Sequence, residues 1–548
     1  SLTVLTPERL PFESRQAAFA LGCVHMRRHC YDDAVSAFET AMRADEHRYR
    51  QSFLGRSQAA EISIGSSIYF NLALCDARLD RPIDALRHLE RGKLRMLSER
   101  FQLDRVRFDR IPEDDRVQYQ KLADRLRALQ IEQYIPSRPM SEIIDETSGV
   151  RRNLDELIVQ FQKKEPDFMQ AEIDVEDNLA HLARDAAIVH FDVTEFGTAV
   201  FLTRMEEGTL RVDYAINDMF TVDTLSRFMS LWSRGQLATR RMRDTNRAED
   251  IRIDRLMKRL SRELLAPVAH LFRQEFHRVV LVPHLSMHVL PLHLLRIGQG
   301  SRILCLDRIV SYLPSLAIEA FFAGGDARPA NTFVGVSNPT LDLRWAQHEV
   351  ERISAFFDER NRCVLNGSDA SCEAVRTVIR DAGYIHFACH ARFDADEPYR
   401  SCLVLAPSHD SKRALADEAR ASDSRVITMT IANEPLMLSE IFAELKLSGK
   451  PLVVLSACES GLTVQETVSD EFIGFPAGFL LGGASAVLSS LWSVDDEATS
   501  LLMEHFYRNM IVYGETPDES LSHAQKTVRE VPGFENPYFW AGFKLTAP

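Results

Sequence analysis

A cysteine and a histidine each stand at the end of a short apolar run in the C-terminal half of the chain. Cys458 ends the run that begins at Leu452, and His390 ends the run that begins at Tyr384. A cysteine nucleophile reacts as its thiolate, and a nearby imidazole lowers the thiol pKa and serves as general base and later as acid. The pair therefore indicates nucleophilic catalysis. The alternative is a buried structural cysteine and a hydrogen-bonded core histidine.

The elements that must position this pair follow an α/β pattern from about residue 330 onward. Continuously apolar strand patterns at 333–336, 384–390 and 452–458 alternate with amphipathic helix patterns. This alternation predicts right-handed crossovers and an open, largely parallel sheet. Adjacent strands lie ~4.8 Å apart, and ligands bind beyond the carboxyl ends of such strands. His390 and Cys458 are both placed at those ends, so we expect them to meet there.

The first 135 residues have a helical period and carry two segments that align by the same offsets. In each segment a small residue follows the leucine by 13 positions, then a large apolar residue comes 4 later and a small residue 3 after that. This spacing resembles the tetratricopeptide repeat (TPR), in which small residues let paired helices interlock. A generic stack of α-hairpins is the alternative. The two sets are Leu21-Gly22, Ala34, Phe38 and Ala41, and Leu72-Ala73, Ala85, Leu89 and Gly92.

Composition places the 548-residue chain among water-soluble globular proteins of several domains. Its 65 basic and 79 acidic residues give a formal charge of −14, which argues against sequence-independent nucleic-acid binding as the main task. The nine cysteines show no CxxC spacing and are expected to be free thiols in a reducing cytoplasm. The start of the chain lacks a signal-peptide pattern. The uncharged stretch 472–492 contains Pro476 and several glycines, which indicates a core helix followed by a core strand rather than a membrane span.

Several sequence blocks closely resemble the CHAT family of caspase-like peptidases of clan CD, which are related to caspases and separase and are often fused to TPR repeats. The resemblance covers roughly 180–548 and is most specific from 380 to 545. It implies a caspase-like α/β fold with a pseudo-caspase half, preceded by an all-α helical repeat domain. The blocks are Tyr384 to Ala391, Leu452 to Gly461, Ser469 to Phe472, Leu480 to Ala484, Ser490 to Asp496 and Asn536 to Phe543, with upstream matches at Val282-Pro283-His284, Leu290-Pro291-Leu292 and Asn338-Pro339.

Carried over residue by residue, the resemblance makes Cys458 the nucleophile and His390 the base, with no third acid. The backbone N–H groups of Cys458 and Ala391 would hold the oxyanion. The family often has Gly at the position of Ala391, and Ala supplies the same N–H unless the site demands a positive φ.

The resemblance also implies an acidic S1 pocket that selects arginine or lysine at P1. Asp496 is the preferred acid, and Asp495 and Asp470 are further candidates. A supporting role in the pocket wall or at a helix start is the alternative for Asp470. Specificity for an apolar P1 residue is the alternative for the pocket as a whole.

We therefore predict a TPR-like helical repeat domain at 1–135, a linker and helix at 136–179, a pseudo-caspase half at 180–329 and a catalytic half at 330–548. The predicted function is a regulated cytoplasmic cysteine endopeptidase that cleaves a partner protein. The family resemblance implies a role in bacterial antiphage defence or cell death, such as activation of a pore-forming protein. Its expected partners are a protein substrate and a protein regulator at the repeats, with no direct nucleic acid and no membrane. The alternative is a catalytically silent scaffold that binds partners through its repeats.

No P-loop, dinucleotide fingerprint, calcium loop or zinc pattern is recognised, so neither a cofactor nor a metal is expected. His284, His288 and His293 lie at spacings of four and five, but the prolines between them indicate structural histidines. The polar stretch 408–425 between the two candidate residues is expected to be a solvated loop, with a loop that covers the site or is cleaved on activation as the alternative.

Overall fold

The structure of the chain is a computed structural model. It describes residues 6–7, 9–51, 55–93, 111–133, 136–164, 175, 186–241, 250–273, 276–298, 302–316, 318, 331–394, 397–408, 434–457, 460–462, 470 and 472–547. Within these ranges, none of the helices combines the length and the apolar character that crossing a membrane requires.

The N-terminal region consists of helix pairs whose helices approach each other at small residues. A β-carbon at Gly22 would lie 2.5 Å from Cε1 of Phe38, and one at Gly92 would lie 2.6 Å from Cβ of Tyr69. Such distances leave room only for hydrogen, so these two positions let α1 close on α2 and α4 close on α3. The expected helical repeats are thus confirmed. The helices are α1 (Pro11–Arg27), α2 (Tyr31–Gln51), α3 (Gly55–Arg78), α4 (Pro82–Gly92), α5 (Glu113–Glu132) and α6 (Met140–Lys164).

An 11-stranded sheet forms the core of the remaining chain, and most of its neighbouring strands are parallel. The expected α/β fold class is confirmed. Its strands are β1 (Ala186–Thr194), β2 (Gly197–Glu206), β3 (Thr209–Asn217), β4 (Arg278–Val282), β5 (Ile309–Tyr312), β6 (Phe333–Ser337), β7 (Arg362–Asn366), β8 (Tyr384–Ala388), β12 (Leu452–Leu455), β13 (Ala486–Ser490) and β14 (Phe543–Thr546), in the spatial order β3-β2-β1-β4-β5-β14-β13-β12-β8-β6-β7. A second sheet of three short strands joins β9 (Ala391–Arg392), β10 (Cys402–Leu405) and β11 (Glu434–Met437).

The large sheet has two parallel blocks, β1-β4-β5-β14 and β13-β12-β8-β6-β7, that meet at an antiparallel pair, and the antiparallel strands β2 and β3 extend it beyond β1. Strands β13, β12, β8, β6 and β7 are mutually parallel, whereas β14 runs antiparallel to β13 and parallel to β5. Helices cover the sheet and leave central strands such as β6, β12 and β13 buried on both faces, which is why these are mostly apolar, whereas the edge strands β3 and β7 are partly exposed. The helices are α7 (Val222–Arg241), α8 (Asp250–Leu260), α9 (Arg344–Ser354), α10 (Cys372–Ile379), α11 (Leu438–Glu444), α12 (Phe475–Leu481), α13 (Asp496–Val512) and α14 (Pro517–Arg529). Shorter elements are the pair Arg296–Ile297 and Arg302–Ile303 and the helical turns Ser261–Leu265, Ala266–Arg273, Leu285–Val289, Leu292–Leu294, Leu304–Asp307, Glu359–Asn361, Gly367–Asp369, Pro398–Arg400 and Pro537–Trp540.

Two buried ionic residues at the end of α4, Glu90 and Lys93, contact the sheet region. Glu90 accepts hydrogen bonds from the Ser315 hydroxyl at 2.5 Å and the Leu316 N–H at 2.8 Å, and pairs with His190 Nε2 at 3.0 Å. Lys93 Nζ pairs with Asp470 Oδ2 at 2.6 Å. Because burying a charge is costly without a partner, these pairs tie the helical region to the sheet region.

Candidate active site

His390 lies two residues beyond the end of β8, in the short connection to β9. Its carbonyl oxygen accepts a hydrogen bond from the Val404 N–H at 2.9 Å, which fixes the backbone against β10. Its side chain is 42% exposed, and Nε2 lies 3.0 Å from Oδ2 of Asp342. His386, on β8 itself, is fully buried and pairs with Glu349 Oε1 at 2.8 Å. His390 is therefore the histidine of this strand that a substrate can reach.

Asp342 belongs to the loop that follows β6, the strand next to β8. The Asn338 N–H donates to the Ala388 carbonyl at 3.0 Å, so the ends of the two strands are joined. The Leu343 N–H donates to Asn338 Oδ1 at 2.8 Å and closes the loop. A hydrogen bond from the Thr340 hydroxyl, and then the contact with His390, lower the pKa of the Asp342 carboxyl.

The family resemblance implies no third acid, so Asp342 is not among the site residues predicted from the sequence. The signal was present, because Asp342 comes six residues after the end of the strand predicted at 333–336, at the same sheet edge as His390. The hydrogen bond between His390 Nε2 and Asp342 also defines the tautomer of His390. An ionised carboxylate only accepts hydrogen bonds, so Nε2 carries the proton and Nδ1 is left as the acceptor.

Cys458 lies outside the described residues, but both of its flanks are anchored. The Ser460 N–H donates to the Ala457 carbonyl at 3.2 Å, and the Ser460 hydroxyl donates to the carbonyl of Leu455 at 3.0 Å. The next strand, β13, contacts both sides. The Ser490 hydroxyl donates to the Ala457 carbonyl at 2.6 Å, and the Gly461 N–H donates to the Ser490 carbonyl at 2.7 Å. The residues around position 458 thus lie at the carboxyl end of β12, beside the end of β8.

Ala391, the candidate oxyanion donor, is half-buried on β9 directly opposite Leu403 of β10. The Val404 N–H bonds to the His390 carbonyl on one side of this pair. In an antiparallel ladder, that makes Ala391 and Leu403 a pair whose own N–H groups point away from each other. The Ala391 N–H is therefore directed away from β10.

The segment after β13 carries two of the three candidate S1 acids. Asp495 is half-buried and caps α13, because its carboxylate accepts the Ala498 N–H at 3.0 Å. Asp496 is the first residue of that helix and is exposed. Tyr538 holds the segment in place, since its carbonyl accepts from Trp492 Nε1 at 3.1 Å and its hydroxyl donates to the Ser493 carbonyl at 2.9 Å.

Asp470, the third candidate acid, is buried with both carboxylate oxygens occupied. Oδ1 accepts the Leu285 N–H at 2.6 Å and lies 3.1 Å from His288 Nε2, while Oδ2 pairs with Lys93. Burial alone would raise the pKa of Asp470, but the Lys93 charge and the nearby histidines hold it well below its usual range. In this arrangement the carboxylate faces the interior, which matches the supporting role. Its S1 role stays a prediction.

The other thiol and imidazole groups near these motifs are packed in the core. Burial raises the pKa of the Cys389 thiol to about 12, so this neighbour of His390 is not an activated nucleophile. His284 accepts the Val193 N–H through Nδ1 at 2.8 Å, and His293 Nδ1 lies 2.8 Å from the Tyr312 hydroxyl. Together with the His288–Asp470 contact, these bonds give the three upstream histidines structural roles.

Comparison with known proteins adds family information to this geometry. The model of the CHAT domain matches residues 254–547, more than half of the chain. Tetratricopeptide repeat protein 28 of Homo sapiens is 30% identical over 197 residues, and that of Mus musculus is 28% identical. These matches span 33% of this chain and only 8% of the curated relatives.

Two solved structures are also similar. A crystal structure of the Saccharomyces cerevisiae separase–securin complex has a TM-score of 0.48 and 10% identity, over 97% of this chain and 49% of that one. The Arg-specific cysteine proteinase gingipain R has a TM-score of 0.32 and 7% identity, over 54% of this chain and 67% of that one.

Proposed function

Because the chain belongs to the CHAT family, we propose that it is a cysteine endopeptidase with Cys458 as nucleophile and His390 as general base. The observation that carries the proposal is the exposed His390 imidazole, oriented by Asp342 at the sheet edge where the chain around position 458 is anchored. A histidine held at this edge in the tautomer with Nδ1 as acceptor suits removal of a thiol proton.

The proposed reaction has two halves. In the first, His390 Nδ1 takes the Cys458 thiol proton and the sulfur bonds to the scissile carbonyl carbon. The C–N bond then breaks as the imidazolium returns that proton to the leaving amine. In the second, the imidazole takes a proton from water, and the resulting hydroxide attacks the thioester carbonyl. The leaving thiolate is then reprotonated by the imidazolium.

The oxyanion of each tetrahedral intermediate would be held by the backbone N–H groups of Ala391 and Cys458. Support for Ala391 comes from the direction of its N–H, which is not used for pairing with β10. The base, the oxyanion donor and the anchored flanks of position 458 then lie on one edge of the sheet.

We propose a basic P1 residue, bound by Asp496 with help from Asp495. Support comes from the position of the segment that carries these two acids. It directly follows the end of β13, where the Ser490 hydroxyl donates to the Ala457 carbonyl. An exposed carboxylate there would form a charge-assisted contact with arginine or lysine.

The proposed substrate is a specific partner protein, and the proposed regulator is a protein bound by the helical repeats, whose stacked helices suit protein binding. A role in bacterial antiphage defence or cell death, such as activation of a pore-forming protein in the cytoplasm, rests on the family resemblance alone.

The test is intact-mass labelling of the full chain with a peptidyl-arginine acyloxymethyl ketone and a matched leucine probe. Wild type is compared with Cys458→Ala and His390→Ala. Cys363→Ser is the matched control, because Cys363 is a half-exposed thiol on the edge strand β7, away from the site.

We expect one arginine-probe adduct that both site variants lose and the control retains. An adduct with the leucine probe alone would support the peptidase and contradict the acidic S1 pocket. No adduct with either probe, or an adduct that survives Cys458→Ala, would contradict the proposed nucleophile and favour the silent scaffold.

A further inference from the structure

The connection between α1 and α2 brings together three side chains that metal ions bind. The donor atoms of His25, Cys30 and Asp33 all lie within 4.8 Å of one another. His25 Nδ1 is 3.8 Å from Asp33 Oδ2, a distance too long for a hydrogen bond. This group lies in the helical region and is independent of the proposed peptidase site.

The backbone holds these residues in place through both helix ends. The Cys30 N–H donates to the His25 carbonyl and the His29 N–H donates to the Met26 carbonyl, each at 3.0 Å. With His29 in the left-handed region at φ 58°, this is the Schellman arrangement that ends a helix. The carbonyl of Cys30 in turn accepts the Ala34 N–H and opens α2. Cys30 is thereby fixed between His25 in the last turn of α1 and Asp33 in the first turn of α2.

The imidazole of His25 supplies a second, independent observation. Its Nδ1 atom is buried and has no hydrogen-bond partner among the residues that the structure describes, although the side chain as a whole is 23% exposed. A buried polar atom without a partner is costly, and here it faces a thiol and a carboxylate. The thiol of Cys30 makes a weak contact of 3.6 Å with the Arg28 carbonyl.

Charge and geometry both suit a divalent ion. A thiolate and a carboxylate supply two negative charges, and the carboxyl end of α1 adds a favourable partial negative charge. Bonds of about 2.0–2.3 Å in a tetrahedral zinc site place ligand atoms roughly 3.3–3.8 Å apart. The upper end of this range belongs to sulfur pairs, and a nitrogen and an oxygen ligand would lie roughly 3.3–3.5 Å apart. The His25–Asp33 separation of 3.8 Å is a few tenths longer, so small movements of the exposed Asp33 and Cys30 side chains would complete the site.

We propose that His25 Nδ1, Cys30 Sγ and an Asp33 carboxylate oxygen bind a zinc-type divalent ion, with water in the fourth position. A nitrogen, sulfur and oxygen donor set favours zinc or cobalt over magnesium or calcium. The bound ion would join the end of α1 to the start of α2 at the surface of the first helical repeat. No metal was expected from the sequence, because the His-x4-Cys-x2-Asp spacing of this site follows no familiar zinc pattern.

The test is a Co²⁺ titration of the full chain in a Cys458→Ala background, which removes the thiol proposed as the nucleophile. The readout is the thiolate-to-cobalt charge-transfer absorption together with the intense visible bands of tetrahedral cobalt. We expect one ion per chain, displaced by Zn²⁺. Cys30→Ser should abolish the charge-transfer band, and His25→Ala and Asp33→Asn should each weaken Co²⁺ binding at least ~10-fold.

The matched controls are Asp32→Asn, which changes the neighbouring acid that pairs with Arg81, and Cys363→Ser. Both should bind Co²⁺ as the parent does. All variants are compared for helical circular dichroism without metal, so that a loss of fold is distinguished from a loss of ligand. Absence of the band in a folded parent, or its persistence in Cys30→Ser, would overturn the proposal.

Discussion

Replacement of Lys93 by methionine tests whether the helical region and the sheet region form one energetic unit. Lys93 and Asp470 are 377 positions apart in the chain, both side chains are 0% exposed, and their charged atoms lie 2.6 Å apart. Lys93 Nζ also donates to the Pro283 carbonyl at 2.5 Å. Methionine has a similar volume without the charge, so Lys93→Met leaves the Asp470 carboxylate buried without its cation.

The expected cost follows from this burial. Breaking a buried ion pair by removing one partner costs about 3–5 kcal/mol, because the remaining charge has lost its compensation. The assay is urea unfolding at pH 7, followed by tryptophan fluorescence. Arg87→Met is the matched control on α4, the helix that Lys93 directly follows, since Arg87 pairs with Asp84 at 2.8 Å but both side chains are about half exposed. An exposed pair of this kind contributes about 0–1 kcal/mol.

A double-mutant cycle makes the reasoning refutable. Lys93→Met combined with Asp470→Asn should cost clearly less than the sum of the two single changes, because the double variant leaves no unpaired charge. A loss below ~1 kcal/mol for Lys93→Met, or strict additivity in the cycle, would show that the buried pair does not couple the two regions.

Three other changes test the site and the fold. Asp342→Asn should lower kcat for a cleaved peptide about 10-fold or more with little change in KM, and Asp342→Glu should restore part of it, because the carboxylate orients the histidine without binding substrate. Burial lowers the pKa of Lys544 from 10.5 to about 7, so above pH 7 the unfolded state binds the extra proton. The unfolding free energy of wild type relative to Lys544→Met should thus rise from pH 7 to 8.5 in urea titrations, with a slope that approaches ~1.4 kcal/mol per pH unit above the folded pKa, and a flat difference would contradict this assignment. Gly22→Leu should destabilise by about 1–3 kcal/mol through its clash with Phe38, whereas Gly149→Leu, where a β-carbon meets nothing within 4 Å, should not.

Local patterns were sufficient to predict most elements of the fold. The apolar runs that became β6, β8 and β12 were recognisable because strands buried on both faces must be continuously apolar. The helical repeats were recognisable because only small residues fit where helices touch, as Gly22 and Gly92 show. The same logic placed His390 at a strand end, since the carboxyl ends of parallel strands share one edge of the sheet.

The partners of the charged groups were decided by the tertiary structure alone. Asp342 contacts His390 across 48 positions and Lys93 contacts Asp470 across 377, and no periodicity in the sequence marks either pair. The local sequence around an acid does not distinguish one that faces solvent, as Asp342 does, from one that faces the interior, as Asp470 does. Secondary structure follows from hydrogen bonding and side-chain alternation over a few residues. The partner of a charge depends instead on which surfaces pack together, and only the folded chain determines that.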